Sequence, residues 1–281
     1  MKLGIFDSGL GGLLIAKSIR EKLPDIDIIY FGDTLHLPYG NRSGKTIYSY
    51  SERAIDFLFS QDCALVIIAC NTASAAALRM LQQKYLPACA YKDRRILGVV
   101  VPTLEAAIDG GYKRLGIIAT RHTVETEIYP IELEKIDTEI SIIQKNTPLL
   151  VPMIENGGEQ WLPSVLEHYL SPIIKKNAVE CLILGCTHYS LLKNKISSIV
   201  GDSVSLISQD EIIPDKLINY LNRHPEIDEK INKNGKTTFY VSDKTQSYCT
   251  TAEQIFGRSI DIELTQLAPI SNKFVITGEP I

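Results

Sequence analysis

Val66-Ile67-Ile68-Ala69-Cys70-Asn71-Thr72-Ala73-Ser74 runs from an apolar block straight into a cysteine and small polar residues. Leu182-Ile183-Leu184-Gly185-Cys186-Thr187-His188-Tyr189-Ser190 makes the same transition 116 residues later. Aliphatic runs without polar alternation read as strands buried on both faces, as in a parallel sheet. A second pair keeps nearly the same offset: Lys2-Leu3-Gly4-Ile5-Phe6-Asp7-Ser8 matches Arg114-Leu115-Gly116-Ile117-Ile118-Ala119-Thr120 after 112 residues. Two matches in the same order point to a duplicated unit, each copy setting a cysteine at the carboxyl end of an inner strand. Open α/β sheets bind ligands at that end, and a cleft between two units is a favoured place for a site.

Around these stretches, strand candidates at 3–6, 26–31, 64–69, 96–101, 115–119, 140–143, 181–184 and 203–207 alternate with longer segments. Two of those segments, 48–59 and 74–85, carry apolar residues at helical spacing. The fold class this implies is α/β: two similar lobes, each a mainly parallel sheet flanked by helices, with the active site in the cleft between them. Past residue 208 the pattern changes to a helix over 212–221, a polar stretch to Lys236, a strand over 238–242, a helix over 246–256 and a strand-rich end at 259–264. That end is expected to return to the first lobe. The division is then 1–97 with 208–267 as a discontinuous first lobe, 98–207 as the second, and 268–281 as a loosely tied tail.

Bulk properties narrow the partners. With 281 residues, 45% of them hydrophobic, the chain can bury a real core without staples. A net charge of -4 leaves no basic surplus for a polyanion, so a small molecule is expected in place of nucleic acid or an acidic membrane. Asp7 comes too early for a signal-peptide core, and no apolar run nears the ~20 residues of a membrane span. A cytoplasmic location is expected, in which cysteines 63, 70, 89, 181, 186 and 249 are free thiols.

A cysteine that ends a buried strand and opens a helix is placed for its thiolate to be stabilised by helix N-terminal amides, which lowers its pKa from the free value of ~8.5. Cys70 and Cys186 share that context; Cys63, Cys89, Cys181 and Cys249 lack it and are assigned to packing or surface. In Gly4-Ile5-Phe6-Asp7-Ser8-Gly9-Leu10-Gly11-Gly12, Leu14 stands where a dinucleotide fingerprint needs its third glycine. The turn reads instead as a helix start able to bind a carboxylate, with Asp7 facing an ammonium or a thiol, or simply capping the helix. Gly44-Lys45-Thr46 imitates a phosphate loop, but Tyr39 replaces its partner glycine and no strand feeds it, so an ATP site is rejected. Leu37-Pro38-Tyr39-Gly40 reads as a turn that presents amides and a tyrosine. His188, two residues past Cys186, reads as an acid/base or ligand-binding group; no second Cys/His cluster completes a zinc site, and no metal is expected. His36, His122, His168 and His224 lack such a setting.

Taken together, Phe6-Asp7-Ser8-Gly9-Leu10-Gly11-Gly12, Tyr30-Phe31-Gly32-Asp33-Thr34, Pro38-Tyr39-Gly40, Cys70-Asn71-Thr72-Ala73-Ser74, Val151-Pro152-Met153-Ile154-Glu155 and Gly185-Cys186-Thr187-His188-Tyr189 resemble the glutamate racemase family within the aspartate/glutamate racemase superfamily. The resemblance covers residues 2–267, and His188 after Cys-Thr favours the glutamate branch over the aspartate and hydantoin relatives. It implies a two-lobed isomerase that interconverts L- and D-glutamate without pyridoxal phosphate, metal or other cofactor, supplying D-glutamate for peptidoglycan; a homodimer is compatible with it. It further implies that Cys70 acts on D-glutamate and Cys186 on L-glutamate, with Asp7 assisting Cys70 and with Glu155 and His188 assisting Cys186. Asp7, Ser8, Pro38, Tyr39, Gly40, Asn71, Thr72, Thr187 and His188 would hold the substrate. Two positions depart from the family pattern: Ser190 replaces a usual proline and Ser208 a frequent aspartate, which bears on loop shape more than on the reaction. The alternatives are a relative acting on aspartate and a two-lobed binding protein without turnover.

Overall fold

The computed structural model describes residues 1–267, so the tail expected at 268–281 lies outside the described residues. Among the described residues ten strands run in order: β1 (Lys2–Asp7), β2 (Ile28–Gly32), β3 (Cys63–Ile68), β4 (Arg95–Gly98), β5 (Arg114–Ala119), β6 (Ser141–Asn146), β7 (Cys181–Gly185), β8 (Ser205–Ile207), β9 (Thr237–Val241) and β10 (Ile262–Leu264). They form two sheets, β10-β9-β2-β1-β3-β4 and β6-β5-β7-β8, in which every pairing is parallel. The order β2-β1-β3-β4 recurs strand for strand as β6-β5-β7-β8, so the duplication read from two short matches extends to the whole topology. β9 and β10 extend the first sheet alone, and β10 pairs with β9.

The inner strands are apolar because both of their faces are covered. Every residue of β2, β3 and β7 is buried. Alternate side chains sort to opposite faces, as strand geometry requires. Leu3, Ile5, Tyr30, Leu65 and Ile67 meet Leu13, Ile19, Leu217 and Phe256 on one face. Phe6, Ile29, Phe31, Val66 and Ile68 meet Ile47, Ile55, Leu58 and Ala77 on the other. The second sheet repeats this plan, with Ile118, Leu182 and Leu184 against Leu166 and Leu170 and with Leu115, Ile117 and Ile183 against Leu104 and Tyr129. β6, at an edge, ends in Gln144-Lys145-Asn146 and stays half-exposed.

Some boundaries differ from the sequence reading. The strand expected over 96–101 stops at Gly98, and Val100–Asp109 is a helix. Its buried residues are Val100, Thr103, Leu104 and Ala107, a helical repeat that overrides the β-branched Val99-Val100-Val101. The helix expected at 74–85 starts earlier, at Asn71, and gives way to a π turn at Leu81–Tyr85. A one-turn helix, Pro225–Asp228, interrupts the polar stretch before β9. Among the described residues no helix is long and apolar enough to cross a membrane.

The sheets meet where the turn after β1 touches the segment after β7. A Cβ on Gly11 would lie 2.3 Å from Thr187 Oγ1 and 2.7 Å from the His188 nitrogen, so only glycine permits the backbones to come this close. Gly11→Ala is expected to force the two apart at a cost of about 1–3 kcal/mol, read as a lower urea midpoint. An unchanged midpoint would show that this contact does not hold the sheets together.

Candidate active site

β3 delivers Cys70, which caps helix Asn71–Met80: its sulfur accepts from the Ala73 N–H at 3.5 Å and lies 3.5 Å from Ser8 Oγ. The helix start does not lower this thiol's pKa as expected. Burial, joined by the nearby Asp7 carboxylate, pushes Cys70 up to about 12, against the opposing pull of the bonds to Ser8 and Ala73. With the side chain 5% exposed, loss of solvation outweighs what a few amides supply. Cys70 therefore rests as a neutral thiol.

β7 delivers Cys186, but the next segment, Thr187–Leu192, is a 3-10 helix and Cys186 makes no side-chain cap bond. Its sulfur instead lies 3.8 Å from His188 Nδ1, while His188 Nε2 bonds Glu155 Oε1 at 2.9 Å. Glu155 thus orients the ring towards the sulfur. Burial opposes a charge on His188, yet the bonds to Cys186 and Glu155 outweigh it and hold its pKa well above the ordinary imidazole range.

Asp7, fully buried at the end of β1, accepts from the Gly9 N–H at 2.9 Å and from the Thr187 hydroxyl at 3.3 Å. Pro38, joined to Leu37 by a cis peptide bond, precedes Tyr39, whose hydroxyl donates to Asp33 at 2.6 Å. The buried Asp33 also accepts from Ser242 and bonds His36, which stacks on Tyr50, so this histidine serves structure. A cavity of about 40 Å³ gathers Ser8, Pro38, Tyr39, Gly40, Cys70, Asn71, Thr72, Cys186, Thr187 and His188 in its wall. Asp7 and Glu155 stand one bond behind that wall, on Thr187 and His188. The side-chain amide of Asn71 is committed elsewhere, to Gln209 at 2.7 Å and Tyr129 at 2.7 Å.

The cavity also takes in residues that the sequence reading passed over, among them Thr120, Arg121 and Thr147. Thr120 bonds Thr72 across the two sheets at 2.9 Å and caps helix Arg121–Glu125. It was within reach, because the repeat aligns it with Ser8. Among the described residues, Arg121 is the only lysine or arginine in this wall. A larger cavity of about 720 Å³, with Leu78, Leu97, Val100, Leu217 and Tyr220 in its wall, holds no thiol and is separate from this chemistry. Ser190 donates to Asp210 at 2.6 Å, and the buried Ser208 hydroxyl finds no partner among the described residues. Cys63 and Cys181 are buried, and Cys89 and Cys249 half-buried, all away from the cavity.

Two thiols at equivalent strand ends line one cavity, Cys70 beside Asp7 and Ser8 and Cys186 beside His188 and Glu155. The chain belongs to the Asp/Glu/Hydantoin racemase family, whose model matches residues 14–209. It is thereby an isomerase of the amino-acid racemase class, which sets aside a binding protein without turnover. It is 35% identical over 268 residues to glutamate racemase of Aquifex aeolicus, covering 94% of this chain and 98% of that one. Among solved structures, glutamate racemase isoform RacE1 of Bacillus anthracis superposes with a TM-score of 0.85 at 31% identity, covering 95% of this chain and 97% of its own. The Francisella tularensis glutamate racemase in complex with D-glutamate gives 0.84 at 31% identity, with the same coverage.

Thiol reactivity provides a check. The neutral Cys70 thiol contributes stability that is whole below the ordinary thiol value of 9.0 and is lost as pH rises towards about 12. Iodoacetamide labelling with mass spectrometry is therefore expected to modify Cys89 and Cys249 first at pH 7.5, and Cys70 only under strongly alkaline conditions. Rapid labelling of Cys70 in the free enzyme at neutral pH would contradict this.

Proposed function

We propose that the protein racemises glutamate by two-base proton transfer without a cofactor, and that it supplies D-glutamate for peptidoglycan. The observation that carries the reading is the pair of thiols at equivalent strand ends, both facing one cavity. A single base tends to return a proton to the face it came from; two opposed groups avoid this. With L-glutamate, the Cys186 sulfur takes the α-proton while the Cys70 thiol gives its proton to the other face. With D-glutamate the roles reverse. Asp7 assists at Cys70, and His188, oriented by Glu155, assists at Cys186.

The α-proton is far less acidic than a thiol, so the developing carbanion needs preorganised donors in a dry site. Ser8, Thr72, Thr120 and Thr187 supply hydroxyls around the cavity. The substrate is a net anion, and Arg121 offers the cation to meet one carboxylate. A space of about 40 Å³ holds a few waters at most, so the lobes part to admit an amino acid. The lobes in this reading are 1–97 with 208–267, and 98–207; the membership of the two sheets supports that division.

Purified protein is expected to racemise glutamate, and not aspartate, with no added cofactor, and to wash deuterium from D2O into the α-position. Cys70→Ala and Cys186→Ala should each lower kcat by about 10²–10⁴-fold in both directions. Full activity in both variants would sink the mechanism, and turnover only with aspartate would move the substrate. Arg121→Gln should raise KM for glutamate several-fold with a smaller change in kcat, Arg121→Lys recovering part of the loss; equal KM values would remove Arg121 from substrate binding.

A further inference from the structure

Behind Cys70 lies a polar cluster sealed from solvent. Asn71 is 2% exposed, Gln209 1%, and Thr103 and Tyr129 0%. Gln209 and Asn71 face each other as two complementary amides: Asn71 Nδ2 donates to Gln209 Oε1 at 2.7 Å, and Gln209 Nε2 donates to Asn71 Oδ1 at 2.8 Å. Tyr129 adds a second donor to Asn71 Oδ1 at 2.7 Å. Gln209 Nε2 also lies 3.2 Å from the Tyr129 hydroxyl and 3.4 Å from Thr103 Oγ1, and Thr103 in turn donates to the Val99 carbonyl at 2.6 Å. The Asn71 amide is thus held in one orientation, because a flip would set donor against donor and acceptor against acceptor.

The four residues come from four elements. Asn71 opens the helix that Cys70 caps, and Tyr129 sits in helix Ile128–Ile136, packed on the second sheet. Thr103 belongs to helix Val100–Asp109, where the chain leaves the first sheet after β4. Gln209 opens helix Gln209–Arg223, where the chain returns after β8. One glutamine therefore ties both crossings between the sheets to the residue covalently next to Cys70.

We infer that Gln209 is the positioning residue of Cys70: acting through Asn71, it fixes the helix start that aims the sulfur and couples that aim to the relative setting of the two lobes. The inference rests on the reading of Cys70 as one of two bases. It assigns Gln209 no contact with substrate. Its effect falls first on the Cys70 step, because the cluster is bonded to the helix start that Cys70 caps, whereas Cys186 hangs from β7 and from the His188–Glu155 pair, to which the cluster makes no hydrogen bond among the described residues, Tyr129 reaching Cys186 through its field alone.

The test is Gln209→Met, which keeps the volume and removes the bonds, alongside Tyr129→Phe, which removes only one donor to Asn71. Kinetics are measured from each enantiomer with α-protiated and α-deuterated glutamate, together with thermal midpoints. Gln209→Met should lower kcat by about 10- to 100-fold, as displacement of a reacting group does, with KM changed less. The primary isotope effect should rise for D-glutamate, where Cys70 removes the proton, and fall for L-glutamate, where the slowed Cys70 step comes after Cys186 has taken the α-proton. Tyr129→Phe should give the same asymmetry more weakly, and it serves alone if Gln209→Met does not fold. A lower midpoint with wild-type kcat, or isotope effects that change equally in both directions, would reduce the cluster to a structural role and overturn the inference. Failure of the underlying reading is separate: it appears as wild-type protein that does not racemise glutamate, or as an active Cys70→Ala.

Discussion

A buried carboxylate in contact with a hydroxyl from the other sheet organises this molecule. Asp7 is fully buried, and one of its oxygens accepts from Thr187 while the other is held by the Gly9 amide. A carboxylate out of water is costly unless its lone pairs are met, so the turn after β1 must fold back on Asp7 and the start of the segment after β7 must come within reach. Gly11 and Gly12 make that approach possible: side chains there would collide with Thr187 and with Asp7 itself. The carboxyl ends of two sheets then face one another, and the side chains that hang from those ends share one small space.

The dryness produced by that packing gives the two sulfurs different settings. Cys70 sits among Asp7, Ser8 and a helix start, where burial keeps its proton on. Cys186 sits beside an imidazole that Glu155 orients and whose pKa the bonds to Cys186 and Glu155 raise against the cost of burial. The same low-dielectric surroundings that raise the cost of charge also strengthen each hydrogen bond offered to it. The two settings thus differ in kind: burial and a neighbouring carboxylate act on one sulfur, and a hydrogen-bonded imidazole stands beside the other.

The sequence carried the strand positions and the two thiols because both are written locally, in apolar runs and in the few small polar residues that close them. It carried the repeat as well, and through the repeat Thr120. Val99-Val100-Val101 misled because β-branching is a weak preference, and the burial of Val100, Thr103, Leu104 and Ala107 decided for helix. The Cys70 pKa misled because a helix start is visible in a sequence whereas the loss of solvent around it is not. Asn71 is expected at the substrate and lies in the cavity wall, but its side-chain amide is bonded to Gln209 and Tyr129, 138 and 58 residues away. Buried polar partners at such separations leave no mark in a single chain, since nothing in either neighbourhood anticipates the other.

The shared strand order of the two sheets sets a symmetric frame around an asymmetric pair of settings, Asp7 and Ser8 on one side and His188 with Glu155 on the other. Mirror-image amino acids have equal free energies in water, so the Haldane relation obliges a racemase to have the same kcat/KM in both directions, however unlike its two halves become. Divergence between the halves can therefore alter only how that ratio is divided between turnover and saturation for each enantiomer. Duplication and later local drift leave such an enzyme free to hold one hand of its substrate more tightly than the other, without ever favouring that hand at equilibrium.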